Sequence, residues 1–168
     1  KVLLAVAHPD DETIYAGEIL LGRVASLPGG CRRAFWHVVC ATGGDNERGK
    51  DFGRAVEVAR EHSLAFEITS EVWDFPDCDA PECGNFEGGA APSLLDRLST
   101  LITGNDWDYV ITHNAIGEYG HHQHIGMHHA IVHVLQGLPK PRLFVFNLLP
   151  EVDVNLSLGK HRMLMSFL

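Results

Sequence analysis

Apolar residues recur along this chain in two ways, as short unbroken runs and as helical stripes, and the two alternate. Val2 to Ala7 is continuously apolar, as expected of a strand buried on both faces of a parallel sheet. Helical periodicity follows at once from Asp11 to Ala25. Ala34 to Ala41 predicts a second strand, and Asp51 to His62 a helix with its charges on one side. Phe66 to Phe75 has the β-branched and aromatic residues of a third strand, with Thr69 and Ser70 as a point of interruption. Pro76 to Pro92 is rich in Gly, Pro and Asp and reads as a loop. Ser93 to Thr103 then predicts a helix, Tyr109 to His113 a strand, Gln123 to Gln136 a helix, Arg142 to Leu148 a strand and Lys160 to Leu168 a closing helix.

This order predicts an α/β fold, Rossmann-like and three-layered, with a mainly parallel sheet and helices on both faces. Ligands of such sheets gather beyond the carboxyl ends of strands, where the strand order reverses. A chain of 168 residues has room for one core and is short for two, so residues 1–168 are read as a single domain.

Composition narrows the partners. A formal charge of −9 with 13 scattered basic residues excludes a nucleic-acid surface and suits a neutral or cationic small molecule. No apolar run reaches the roughly 18 residues of a membrane span. Lys1 leads straight into an apolar strand, without the segments of a secretory signal, so a cytoplasmic location is expected. Cys31 and Cys40 lie in or beside an apolar stretch and read as free thiols, while Cys78 and Cys83 leave open a small disulfide or a metal pair. Nothing in the pattern decides between a monomer and a homo-oligomer.

Two clusters carry chemistry. The first, His8-Pro9-Asp10-Asp11-Glu12, follows the first strand and enters the first helix. Carboxylates at a helix start also suit the helix dipole. His8 and Asp11, however, stand at i and i+3, where both side chains can face one point, with Asp10 aimed slightly away. The second cluster runs from Gly117 to His124. Six of the 11 histidines fall between His121 and His133, and His128, His129 and His133 read as bystanders on the helix. The pair His121 and His124 is the stronger candidate. Two imidazoles and one carboxylate, from His8, Asp11 and His124, leave a coordination position open, the mark of catalytic zinc. Zinc there would polarise a carbonyl and acidify water. Asp10 is placed as general base, and His121 and Tyr119 to steady an oxyanion or protonate a leaving amine.

At these residues the chain resembles the PIG-L/LmbE-like zinc-dependent N-acetylglucosaminide deacetylases. Ala7 to Glu12 corresponds to the family's A-H-P-D-D-E signature and Gly117 to His124 to its G-E-Y-G-H-P-D-H segment, with weaker echoes at Thr42 to Asp45 and Arg54 to Glu57. The resemblance implies His8, Asp11 and His124 as ligands of Zn2+, with Fe2+, Co2+ or Mn2+ as alternatives. It also implies Asp10 as base, His121 as acid or electrostatic partner, Tyr119 as a carbonyl-polarising group, and an amino-sugar substrate losing its N-acetyl group. Arg48, Asp77 and Asn114 are the expected substrate contacts. An amidase acting on a thiol–sugar conjugate and a non-catalytic metal- or sugar-binding relative stay open.

The sequence departs from the family pattern in two places. His122-Gln123 stands where the family has Pro-Asp, which removes a carboxylate able to orient a ligand histidine. The C-terminal segment that shapes the family's pocket is expected to be absent.

Overall fold

The computed structural model describes residues 1–22, 34–44, 46–86, 93–147 and 164–167. Its strands are β1 (Val2–Val6), β2 (Phe35–Thr42), β3 (Glu67–Phe75), β4 (Tyr109–Thr112), β5 (Arg142–Asn147) and β6 (Leu164–Phe167). They form one sheet in the order β3-β2-β1-β4-β5-β6, the first five parallel and β6 antiparallel to β5. Between them run α1 (Asp11–Leu20), α2 (Glu47–His62), α3 (Leu94–Thr103), the single turn α4 (Gly117–Gly120) and α5 (His122–Leu135).

The unbroken apolar run of β1 follows from its central place. Val2, Leu4 and Val6 pack toward Tyr15 and Ile19 of α1 and Phe52 and Val56 of α2. Leu3, Ala5 and Ala7 belong to the opposite core, with Leu98 and Ile102 of α3 and Met127 and Ile131 of α5. The result is the expected helix–sheet–helix sandwich.

Side-chain caps fix the starts of three helices. Asn46 accepts a hydrogen bond from the Gly49 N–H, which starts α2 at Glu47, four residues before the expected Asp51. Ser93 and Asp96 form a reciprocal capping box on α3. His121 caps α5 by accepting from the Gln123 N–H, and that helix ends one residue before the expected Gln136. α1 stops at Leu20, and residues 23–25 of its expected span lie outside the described residues.

Residues 160–163 and 168 of the closing helix expected over Lys160 to Leu168 lie outside the described residues, and the part between them is not helical. Leu164–Phe167 is a strand, paired from Phe144↔Phe167 to Asn147↔Leu164. The outer edge of β5 offers a row of backbone donors and acceptors, and pairing along it outweighs a short helical signal. Thr69 and Ser70 do not interrupt β3, since both pair with β2; the irregularity falls at Cys40/Thr42 instead.

The loop expected over Pro76 to Pro92 contains a short 3-10 turn, Pro81–Asn85, and within it Cys78 and Cys83 form a disulfide. Cys40 is a buried free thiol whose pKa burial pushes up; Cys31 lies outside the described residues. This turn sits directly on α5: a Cβ added to Gly126 would lie 1.5 Å from the Gly84 carbonyl oxygen, so only glycine allows the approach. Among the described residues, no helix is long and apolar enough to cross a membrane.

Candidate active site

β1 and β4 are neighbours whose onward connections run to opposite sides of the sheet, and the site lies beyond their carboxyl ends. His8 follows β1 and His113 follows β4. Beyond His8 the chain turns sharply through Pro9 and Asp10. Asp10 has φ 136°, costly for a residue with a Cβ, and is held there by its N–H to Glu12 Oε2 at 3.0 Å. Gly43, at φ 107°, packs so closely on this turn that a Cβ would meet the Pro9 ring at 2.7 Å.

Three side-chain atoms converge below the turn. His8 Nδ1 lies 3.1 Å from His124 Nε2 and 3.3 Å from Asp11 Oδ2, and His124 Nε2 lies 3.4 Å from the same oxygen. All three residues are buried.

Hydrogen bonds on the far side of each ring show where the protons are. Gln123 Oε1 accepts the Cys78 N–H at 3.1 Å while Gln123 Nε2 donates to Pro76 O at 2.7 Å, which fixes the amide's orientation. His8 Nε2 therefore donates to Gln123 Oε1 at 2.9 Å, and its Nδ1 is bare. His124 Nδ1 donates to Glu118 Oε2 at 2.7 Å, leaving its Nε2 bare. With both rings neutral, the converging atoms are two imidazole lone pairs and a carboxylate oxygen. Ligand atoms of a tetrahedral zinc site, with bonds of about 2.0–2.1 Å, stand about 3.3 Å apart. The spacing and the donor set fit a metal ion.

Ligand-capable atoms group in two overlapping triads, His8 with His121 and His124, and Asp11 with His113 and His124. This buried His/Asp group can hold a metal ion. His113 takes part mainly from behind: its Nε2 accepts the Ala7 N–H at 3.0 Å and its Nδ1 donates to Glu118 Oε2 at 2.9 Å. Its ring stacks on that of His124, with centroids 3.8 Å apart. Burial would raise the Asp11 carboxyl, but the His113, His124 and His8 rings gathered around it, with the His8 backbone N–H donating to its Oδ2 at 2.8 Å, hold it well below the usual range. For Glu118, burial is likewise outweighed by His113 and His124, and its pKa falls to about 2.

The remaining expected residues form a rim. Asp10 Oδ2 points outward, 3.4 Å from Arg48 Nη2, and burial together with Asp11 raises its pKa despite that cation. Arg48 also binds Asp77 closely, and Asp77 lies 3.6 Å from His8 Nε2. His121 covers the inner rings, with centroids 4.5 Å from His8 and 4.6 Å from His124; burial and these two neighbours lower its pKa. Tyr119 is 69% exposed at the mouth, its ring 5.6 Å from that of His124. Asn114 stands apart: its amide donates to Phe146 O at 2.9 Å, and its Oδ1 accepts the Ile116 and Glu118 N–H groups. His128 donates to His113 O from a buried position, whereas His129 and His133 are exposed.

Sequence reasoning missed Glu118, His113, Asp79 and the part played by Gln123. The expected loss of an orienting carboxylate at position 123 is made good for His124 by Glu118, while the Gln123 amide serves His8. Glu118 stood inside the quoted motif, and His113 ends a strand adjacent to β1, so both were within reach. Asp79, which binds His121 Nε2 at 2.9 Å, carries no signal at the sequence level.

Comparison with known proteins agrees with this picture. An uncharacterized protein of Acanthamoeba polyphaga mimivirus is 27% identical over 154 residues, which is 86% of this chain and 60% of that protein. GalB, the 4-carboxy-2-hydroxymuconate hydratase of Pseudomonas putida KT2440, superposes with TM-score 0.54 at 19% identity, over 87% of this chain and 65% of its own, and so shares the fold. The chain spans less than two thirds of either relative. Residues 3–135, which hold all the candidate site residues, match the family described as GlcNAc-PI de-N-acetylase, and on that match the chain belongs to the PIG-L family.

Proposed function

We propose that the chain hydrolyses the N-acetyl group of an N-acetylglucosamine-type sugar at a divalent metal, zinc, held by His8, Asp11 and His124. The observation that carries this reading is the convergence of His8 Nδ1, Asp11 Oδ2 and His124 Nε2 within 3.4 Å of one another. Such lone pairs repel unless a cation lies between them.

Zinc would supply a Lewis acid for the acetyl carbonyl and lower the pKa of water. The protein supplies the rest. Asp10 takes a proton from the attacking water, its strained backbone holding it at the rim rather than among the ligands. His121 turns its Nε2–H from Asp79 to the carbonyl oxygen as a hydrogen-bond donor to the developing oxyanion, Asp10 passes the proton taken from water to the leaving amine, and Tyr119 adds a phenol O–H at the mouth. Arg48 and Asp77, paired to each other, exchange that pairing for sugar hydroxyls. Asn114 would reach the sugar only by giving up one of the hydrogen bonds with which it braces the turn.

The test is acetate release from a set of N-acetylglucosaminides, with metal-free protein and with Zn2+, Fe2+, Co2+ or Mn2+ restored. Release should require metal. Equal release by metal-free protein, or none from any substrate at full metal occupancy, would refute the proposal.

A further inference from the structure

The altered motif leaves His121 without a carboxylate from its own segment, because position 123 is Gln and Glu118 is committed to His113 and His124. One arrives from 42 residues earlier. Asp79 Oδ1 lies 2.9 Å from His121 Nε2, and His121 Nδ1 accepts the Gln123 N–H at 3.2 Å. The ring therefore carries its proton on Nε2, with Asp79 as acceptor.

Asp79 has little to hold it except its own backbone, since its side chain is 93% exposed. That backbone is well anchored. Cys78, immediately before it, is bonded to Cys83 and donates its N–H to Gln123 Oε1, and Pro76 O accepts from Gln123 Nε2. On the other side Gly84 rests against His122 and Gly126 of α5. The turn that presents Asp79 is thus fixed to the helix that presents His121.

We propose that Asp79 is a positioning residue, keeping His121 in the Nε2–H tautomer over His8 and His124, and that the Cys78–Cys83 bond presents its carboxylate. The inference rests on the reading of His121 as a participant in deacetylation. An exposed ion pair contributes little to folding, so the effect belongs to ring orientation and not to stability.

The experiment compares zinc-loaded wild type, Asp79→Ala, Asp79→Glu and the double variant Cys78→Ser/Cys83→Ser. It reads kcat and KM for acetate release, zinc content, and the 15N-imidazole NMR spectrum, which reports each ring's tautomer. Loss of a group that orients an active-site histidine typically costs about 10- to 100-fold. Asp79→Ala should lower kcat about tenfold with KM and zinc content unchanged, and His121 should lose its pure Nε2–H pattern. The serine pair should shift both in the same direction, and Asp79→Glu should restore them. An unchanged His121 spectrum in Asp79→Ala overturns the proposal, whatever happens to kcat. If the wild type releases no acetate, the deacetylase reading fails, yet the spectrum still decides whether Asp79 sets the tautomer.

Discussion

Glu118→Gln replaces one atom and should disable the proposed metal site. In the native site Glu118 Oε1 accepts the Asn114 N–H at 2.8 Å, while Oε2 accepts from His113 at 2.9 Å and His124 at 2.7 Å. The glutamine can keep its oxygen on Asn114 only by turning its NH2 toward two imidazole N–H groups. To escape that clash His124 must move its proton to Nε2, the atom that faces His8 and Asp11. The proton then occupies the place of the metal. Two bonds to a charged acceptor are lost, each worth about 1.5–3 kcal/mol. Zinc affinity should fall at least 10- to 100-fold, or about 1.4–2.8 kcal/mol, the usual cost of removing such a partner. Competition with a chromophoric chelator measures this directly, and circular dichroism checks that the variant is folded. Wild-type zinc affinity in a folded Glu118→Gln protein would refute the tautomer argument on which the site is built.

Asp10→Asn should keep zinc by elemental analysis and lose about 10²- to 10⁴-fold in kcat; normal turnover would remove Asp10 from the role of base. In metal-free protein, Glu118 has a folded-state pKa of about 2 against an ordinary 4.5, so its stabilisation is full above about pH 4.5 and is lost as pH falls toward 2. Urea titrations across that window should show wild type converging on Glu118→Gln at the acid end, and a constant gap between them would contradict this. Gly126→Ala places a methyl group 1.5 Å from the Gly84 oxygen, and since two backbones cannot both yield it should destabilise by about 1–3 kcal/mol or more, read by thermal melting.

The sequence made the buried strands legible because the parallel sheet is covered on both faces, so β1 has no polar side to show. It singled out His8, Asp11 and His124, which the fold brings together, because residue type and local spacing mark them as a candidate metal set. It could not show β6, whose pairing depends on the free edge of β5 and on no property of Leu164–Phe167 alone. Nor could it assign Gln123. Read in place it is a lost carboxylate; in the folded chain its amide bridges Pro76, Cys78 and His8, three positions about 45 or more residues away. The Cys78–Cys83 bond was one of several options for C-x4-C until the turn at Pro81 brought the two residues together.

His8 and His124 are separated by 116 residues. A pocket assembled across such a distance does not exist in fragments of the chain or on a half-made polypeptide, because the ends must be brought together before any ion can be gripped. Metal capture would then be a late event in the protein's life. It would serve as a receipt for completed folding, and each bound ion would shift the balance further against unfolding in proportion to the logarithm of its free concentration. Starving cells of zinc should therefore shorten the lifetime of this protein before it lowers its synthesis.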